Sequence, residues 1–383
     1  MDLKPYFDAV DFSVYPENSR LNWKQTLGAA IEKNTLALNE SNLAKVEVAL
    51  IGIPFETVEN SCVVNKIPDY VRNELYQLAN PGKLNVIDLG NLKESQSHKG
   101  NFLALRDIVD YLSELKITCL LLGGSQDLSY GVCQAFRNDK LFSFSVVDAF
   151  LDVRKGVEGF QTDNYLSRIF SKQPDIFSFN LLGYQRHYVP EQLFSKVKGV
   201  GNHIGLGQLH GDLSLAEPVF RNSDFVSFDF GTLKFSETLG KKKLPNGLHA
   251  EDICQLARYA GLSRRLKALG IFEIQDEGNP NGINVQLAAQ AGWYFLEGVI
   301  QQSHAKPEDQ EGFIIHKVEV WQVETPLVFF ENRENGQWWM QLQSIDNSFL
   351  YFACSEQDFI DASLNEIPEI WLKYVQKIDE ILK

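Results

Sequence analysis

Short apolar runs separated by longer amphipathic stretches constrain this chain more than any other feature. Residues 46–54 (VEVALIGIP), 84–89 (LNVIDL), 117–122 (ITCLLL), 141–147 and 176–182 are dominated by apolar side chains, and 225–230 and 270–274 continue the series. A strand that is apolar on consecutive residues is buried on both faces. Between these runs, 70–78, 102–116, 250–259 and 285–300 read as helices. In 102–116 the apolar stripe is Leu103, Ile108, Val109, Leu112 and Leu115, the spacing of one helical face. Strands alternating with helices predict an α/β fold with a mainly parallel sheet, whose chemistry collects at the C-terminal ends of the strands. The places to look are therefore just past Leu122, Val147, Phe228 and Phe272.

The end of the chain has a different period. Residues 313–323 (FIIHKVEVWQV) alternate, and 327–330 and 337–342 flank Asn335-Gly336, a strong short hairpin signal. Residues 356–382 read as one or two helices broken near Pro368. The polar stretch 303–312 reads as a linker. The expected organisation is a body over 1–302 and a C-terminal extension over 303–383, a β-hairpin with helices packed on the body. Trp338 and Trp339 are neighbours on a strand and must point to opposite faces. One is expected against the body; exposure of the other, the sharper alternative, would mark a protein partner at the extension.

Composition narrows the function classes. The chain has 383 residues, 36 Lys+Arg against 50 Asp+Glu, and a formal charge of −14. A hydrophobic fraction of 44% supplies a packed core and excludes a disordered chain. The acidic balance argues against sequence-independent nucleic-acid binding, which needs a basic face. No apolar run reaches the length of a membrane span, and residues 1–15 lack the apolar core of a signal peptide. The five cysteines (Cys62, Cys119, Cys133, Cys254, Cys354) are scattered and odd in number, as in a reduced compartment with buried thiols. The expectation is a cytoplasmic protein without nucleic-acid or membrane partners.

The strand ends carry a constellation. After Leu122 comes Gly123-Gly124-Ser125-Gln126-Asp127, a tight turn that lacks the spacing of a dinucleotide fingerprint. After Val147 comes Asp148-Ala149-Phe150-Leu151-Asp152-Val153-Arg154. Two aspartates at a buried strand end are costly unless solvated, paired or metal-bound; a helix cap with an Asp152–Arg154 pair and metal ligation both satisfy that demand. Asp229 and Glu273 sit in otherwise apolar runs, each either a half-exposed strand end or part of a site. Asp148, Asp152, Asp229 and Glu273 would converge on one pocket, where like charges raise one another's pKa unless a cation compensates.

In this order these residues resemble the ureohydrolase family of arginase, agmatinase and formimidoylglutamase, and formimidoylglutamase most. The resemblance covers roughly residues 45–300. It rests on Ala49 to Pro54, Asp88-Leu89-Gly90, the Gly-Gly turn, Asp148 to Arg154, Ser227-Phe228-Asp229, Asn246-Gly247-Leu248 and Glu273. It implies a three-layer α/β/α arginase-like fold. It also implies two manganese ions bridged by a hydroxide that attacks an amidine or guanidine carbon, and a homo-oligomer.

Three of the six ligand positions implied by the resemblance are changed. The family histidine after the Gly-Gly turn is Gln126 here, the histidine between the two aspartates is Phe150, and the second aspartate of the later strand is Gly231. The first ion would keep Asp148, Asp152 and Asp229 and gain the carbonyl of Gln126. The second loses both of its unshared ligands, Phe150 and Gly231. A two-manganese centre is therefore not expected. One all-oxygen site for Mn, Mg or Ca (Gln126, Asp148, Asp152, Asp229) or a pocket in which a carboxylate pairs with Arg154 are the two readings left. Glu273 matches the family glutamate that contacts the substrate's cationic head, and with Arg154 it is the candidate for holding a small amidine or amino-acid-like ligand. A capped or salt-bridged glutamate is the plainer reading. No catalytic residue is assigned: the proton-shuttle histidine has no counterpart in 158–169. His187, His203 and His210 are read as surface or core histidines. Lys241-Lys242-Lys243 reads as a solvated loop, with anion binding as the sharper alternative. The expected function is a binding or structural role on a ureohydrolase scaffold. The alternative is a metal-dependent hydrolase turning formimidoylglutamate into glutamate and formamide.

Overall fold

The computed structural model describes residues 1–10, 20–33, 43–58, 61–95, 97–154, 162–173, 176–197, 199, 201–236, 244–275, 282–344 and 347–381. The lysine run 241–243 and Glu158 lie outside them.

The strands of the body are β1 (Phe7–Asp8), β2 (Glu32–Lys33), β3 (Val48–Gly52), β4 (Phe55–Val58), β5 (Ser61–Val64), β6 (Val86–Leu92), β7 (Thr118–Leu122), β8 (Ser143–Val147), β9 (Ser178–Tyr184), β10 (His203–Gly205), β11 (Phe225–Asp229) and β12 (Ala268–Phe272). Ten of them form one sheet in the order β1-β6-β3-β7-β12-β11-β8-β9-β10, with β2 also on β6. Only β1 runs antiparallel. The remaining pair, β4 and β5, is a separate antiparallel hairpin.

The apolar runs behave as their composition requires. Val48 and Leu50 face one core, whereas Ala49 and Ile51 face the other. Helix His98–Glu114 covers the second face through Phe102, Leu105, Ile108 and Val109. Helices Ile67–Gln77, Ala250–Gly261 and Ile283–Ile300 cover the first. This is the three-layer α/β/α arrangement. A buried ion pair ties helix to sheet. Arg72 donates from Nε to Asp88 Oδ2 at 2.7 Å and from Nη2 to Oδ1 at 3.0 Å, and Tyr76 donates its hydroxyl to the same carboxylate at 2.5 Å.

Topology creates the site. The chain passes from β7 to β8 and leaves a gap that β12 and β11 fill only later. Such a reversal opens a crevice beyond the strand ends. The four central strands, in the order β7-β12-β11-β8, are the ones followed by Gln126, Glu273, Asp229 and Asp148.

The C-terminal part is larger than a hairpin. Strands β13 (Phe313–Val318), β14 (Leu327–Asn332), β15 (Trp338–Gln343) and β16 (Phe349–Cys354) make a four-stranded antiparallel sheet. The β14–β15 turn contains Gly336 with φ 69°, as Asn-Gly predicts. The strand β16 (FLYFAC) has no clean alternation, and its pairing with β15 along six residues decides it. Helices Glu356–Ser363 and Glu369–Ile381 follow, with Pro368 at the break. Phe177, fully buried, stacks between Phe352 and Tyr374 at 5.5 and 5.1 Å, so this sheet and the body share a core. An exposed tryptophan is not found at 338 or 339. Trp338 stacks on Phe359 at 4.9 Å, and Trp339 lies under the Arg221 guanidinium at 4.4 Å. Strand alternation separates the two rings, but each face has its own cover. In this C-terminal part the tryptophan that is exposed is Trp321, at 89%.

Candidate active site

The Gly-Gly turn is a steric requirement. Gly123 and Gly124 have φ of 85° and 80°, where only glycine is at ease. A Cβ at Gly123 would lie 2.9 Å from the Ile53 carbonyl oxygen. The turn feeds the short 3-10 turn Gln126–Leu128 and then helix Ser129–Ala135. Gln126 is buried to 1% exposure. Its Nε2 donates to Ser227 Oγ at 3.3 Å. Its Oε1 is buried and has no hydrogen-bond partner among the described residues.

Glu273 is not inside a strand as its sequence context suggests. It lies one residue past β12, with φ 58°. Its backbone N donates to Gly124 O at 2.9 Å, and its Oε1 accepts from Gln126 N at 3.0 Å. The side chain thus braces the turn that carries Gln126. It also reaches the cavity.

Asp148 and Asp229 end their strands in the same way. Asp148 Oδ1 accepts from Phe150 N at 3.0 Å, and Asp229 Oδ1 accepts from Gly231 N at 2.5 Å. Each carboxylate therefore closes the turn after its own strand. Both residues are about 1% exposed. Asp152 is buried too, four residues past Asp148.

Gln126, Asp152, Asp229, Gly231 and Glu273 line one cavity of about 210 Å³, together with Thr162 and Asp163. The convergence of the carboxylates is also felt at Tyr165. Burial pushes this phenol well above its ordinary pKa, and Asp152, Asp148 and Asp229 push it further.

Two placements differ from expectation. Arg154 pairs with neither Asp148 nor Asp152 but with Asp163, Nη1 to Oδ2 at 2.8 Å. The pair joins two residues nine apart in the chain, and Asp163 is a wall of the site. Phe150 stacks on Tyr188 at 4.7 Å with the rings 22° apart, an aromatic ring in place of a donor. Among the histidines read as surface or core, His203 and His210 stay away from this cavity. His203 packs against the Phe194 ring at 5.2 Å, and His210 against His249 at 5.3 Å. His98, which the sequence did not single out, places Nε2 2.8 Å from Asp127 Oδ2, and Thr57 donates to the same oxygen. Nothing in the local sequence of residue 98 signals a neighbour of Asp127; the β4–β5 hairpin and the helix start create it.

Comparison with known proteins agrees with this geometry. Residues 46–177 match the arginase family model. The formimidoylglutamase of Lysinibacillus sphaericus is 29% identical over 122 residues, which span 29% of this chain and 36% of that protein. The matched segment is thus little more than a third of that relative's length. A formiminoglutamase of Trypanosoma cruzi solved with Mn2+ superposes with a TM-score of 0.62 at 17% identity, covering 70% of this chain and 97% of that one. The formimidoylglutamase of Bacillus subtilis superposes with a TM-score of 0.62 at 16% identity over 76% and 97%. The chain is similar to the arginase family over residues 46–177, and its fold is the arginase-like fold.

The donor chemistry of this cavity suits two ions poorly. The side chains of Phe150 and Gly231 offer no lone pair to an ion. One ion is a better match: Gln126 Oε1 is a buried carbonyl oxygen, and Asp152 and Asp229 share its cavity. Among the described residues no three His, Cys, Asp or Glu side chains close a cage of their own. The oxygens present suit a hard cation that keeps much of its water, as magnesium does.

Proposed function

We propose that this chain is a ureohydrolase-fold protein that binds a compact cation at its strand-end cavity and does not carry out two-manganese hydrolysis. The observation that supports this most is Phe150. Its ring, stacked on Tyr188, stands at the position where the family resemblance implies a ligand histidine, and Gly231 stands at the other unshared position. Without those donors, no bridging hydroxide is held between two ions, and the largest electrostatic contribution to the family's chemistry is missing. The cavity keeps a strongly negative lining of Asp152, Asp163, Asp229 and Glu273, with Arg154 paired to Asp163. A hydrated divalent ion or a small amidinium fits that charge.

Gln126 favours a second reading. Its unpartnered Oε1 beside Asp152 and Asp229 would complete a single-ion site. One ion can lower the pKa of bound water, and the activity would then be hydrolysis of a linear amidine, formimidoylglutamate to glutamate and formamide. One experiment separates the two. The purified protein is equilibrated with excess Mn2+, its bound metal is measured by elemental analysis, and formamide or urea release is followed from formimidoylglutamate, agmatine and arginine. At most one equivalent of metal and no release above the protein-free blank is expected. Release with one equivalent establishes the single-ion hydrolase, and two equivalents with release overturn both.

A further inference from the structure

A second cavity, of about 590 Å³, lies away from the strand-end site on the helical layer. Three helices build it from residues one turn apart. His98, Phe102 and Arg106 share one face of helix His98–Glu114, with Lys99 beside them. Tyr130 and Gln134 come from helix Ser129–Ala135, and Arg168 and Lys172 from helix Tyr165–Lys172. The i, i+4 spacing puts each pair on one face.

The charge of this lining opposes that of the molecule. The chain carries −14 overall, yet Lys99, Arg106, Arg168 and Lys172 face one groove, and among the described residues no Asp or Glu lines it. Asp107 takes Nε and Nη2 of Arg106 at 2.8 and 2.7 Å from outside the lining, which offsets one of the four cations. Like charges gathered in a groove raise the local concentration of anions. The floor is aromatic: the Phe102 and Tyr130 rings meet edge to face at 5.4 Å. Gln134 Nε2 is buried with no hydrogen-bond partner among the described residues, and a buried donor without an acceptor is costly. The groove therefore offers cations, an aromatic floor and a donor without an acceptor. Its size falls within the ordinary range of ligand pockets.

We infer that this groove binds a small anion with a planar aromatic body, of the nucleoside phosphate class. The cations take the phosphate, the aromatic floor takes the base, and Gln134 Nε2 donates to an oxygen of the ligand. His98 lines the groove and is held by Asp127, the chain neighbour of Gln126. This inference stands independently of the cation reading above.

Calorimetric titration of the full chain in EDTA tests it, since the chelator removes any metal-borne contribution from the acidic cavity. AMP and ATP are expected to bind with a Kd of about 1 mM or tighter. Adenosine, inorganic phosphate and tripolyphosphate are each expected to bind about tenfold or more weakly than ATP. The exposed charge reversals Arg168→Glu and Lys172→Glu are expected to weaken ATP binding about tenfold or more, with thermal midpoints verifying that each variant folds. Lys317→Glu, on the far C-terminal sheet, is expected to change nothing. Absence of saturable binding, tripolyphosphate binding as well as ATP, or an equal loss in Lys317→Glu overturns the inference.

Discussion

Glu273 carries the most local tension in the site. A non-glycine residue held at φ 58° costs on the order of 1 kcal/mol, and the hydrogen bonds through its N and Oε1 offset it. Glu273→Ala keeps the strained backbone and loses the side-chain acceptor, so it is expected to lower stability by about 1–3 kcal/mol. Glu273→Gln retains a neutral acceptor and should lose less. Urea unfolding midpoints of the two variants check the order. Phe150 is the complementary case. Phe150→His with Gly231→Asp restores two donors, and elemental analysis after Mn2+ loading should find more bound metal than in the parent chain. Unchanged metal content would show that the turn geometry, not the donor set, excludes the second ion. Asp148, Asp152 and Asp229 could be singled out from sequence because an acidic residue after an apolar strand is physically expensive. Asp163 could not, because it follows no apolar strand and its place in the cavity is set by tertiary contacts such as its pair with Arg154.

At the scale of elements, the Arg72–Asp88 pair fastens helix Ile67–Gln77 to β6 inside the core. Both side chains are fully buried. Removing one partner strands the other charge, so Arg72→Ala is expected to cost about 3–5 kcal/mol. Replacing both together, as in Arg72→Met with Asp88→Leu, should cost less than the sum of the single changes. Chemical denaturation of the three variants measures this. A different element sets an acid limit. His203, in β10, has its pKa lowered from 6.5 to about 4 by burial first and then by Lys373 and Lys377 of the last helix. The unfolded chain therefore binds more protons than the fold between those values, and stability rises with pH there. The contribution is complete above about pH 6.5 and is lost as pH falls toward 4, on the order of 2–3 kcal/mol. His203→Gln should flatten the stability profile in that window, and a profile that stays as steep would rule out His203 as its source. The strands and helices of the body were legible in the sequence because two-sided burial and helical spacing leave strong periodic marks. The short edge strands β1, β2 and β10 leave none, since each is defined by the neighbour it pairs with.

For the whole molecule, the C-terminal sheet and the body are fastened by polar contacts as well as by shared aromatics. Asn222 donates from Nδ2 to Ala353 O and accepts from Ala353 N, both at 2.8 Å. Arg221 donates from Nη2 to the Trp338 and Cys354 carbonyl oxygens at 3.2 and 3.3 Å. Asn222→Ala would leave two buried backbone groups without partners, at about 1–3 kcal/mol each. A chain ending at residue 302 would bare Phe177 and these donors, and it is expected to aggregate or to unfold at a lower temperature than the full chain, by light scattering and calorimetry. Stable, monodisperse behaviour of the shortened chain would overturn that. The Asn-Gly turn and the alternating strands beside it announced a β structure here. The fourth strand and the covering of Trp338 and Trp339 did not show, because they are decided by pairing and packing partners: β15 for the strand, Phe359 for Trp338 and the distant Arg221 for Trp339. The amino-acid sequence by itself determined the α/β class, the family resemblance, the acidic strand ends and the loss of two ligand types, since all of these are properties of local composition and order. Only the tertiary structure decided that Arg154 joins Asp163, that Glu273 braces Gln126, and that cations from three helices meet in one groove of an acidic molecule. Those outcomes depend on distances between elements, and distance across a fold is set by packing rather than by sequence spacing.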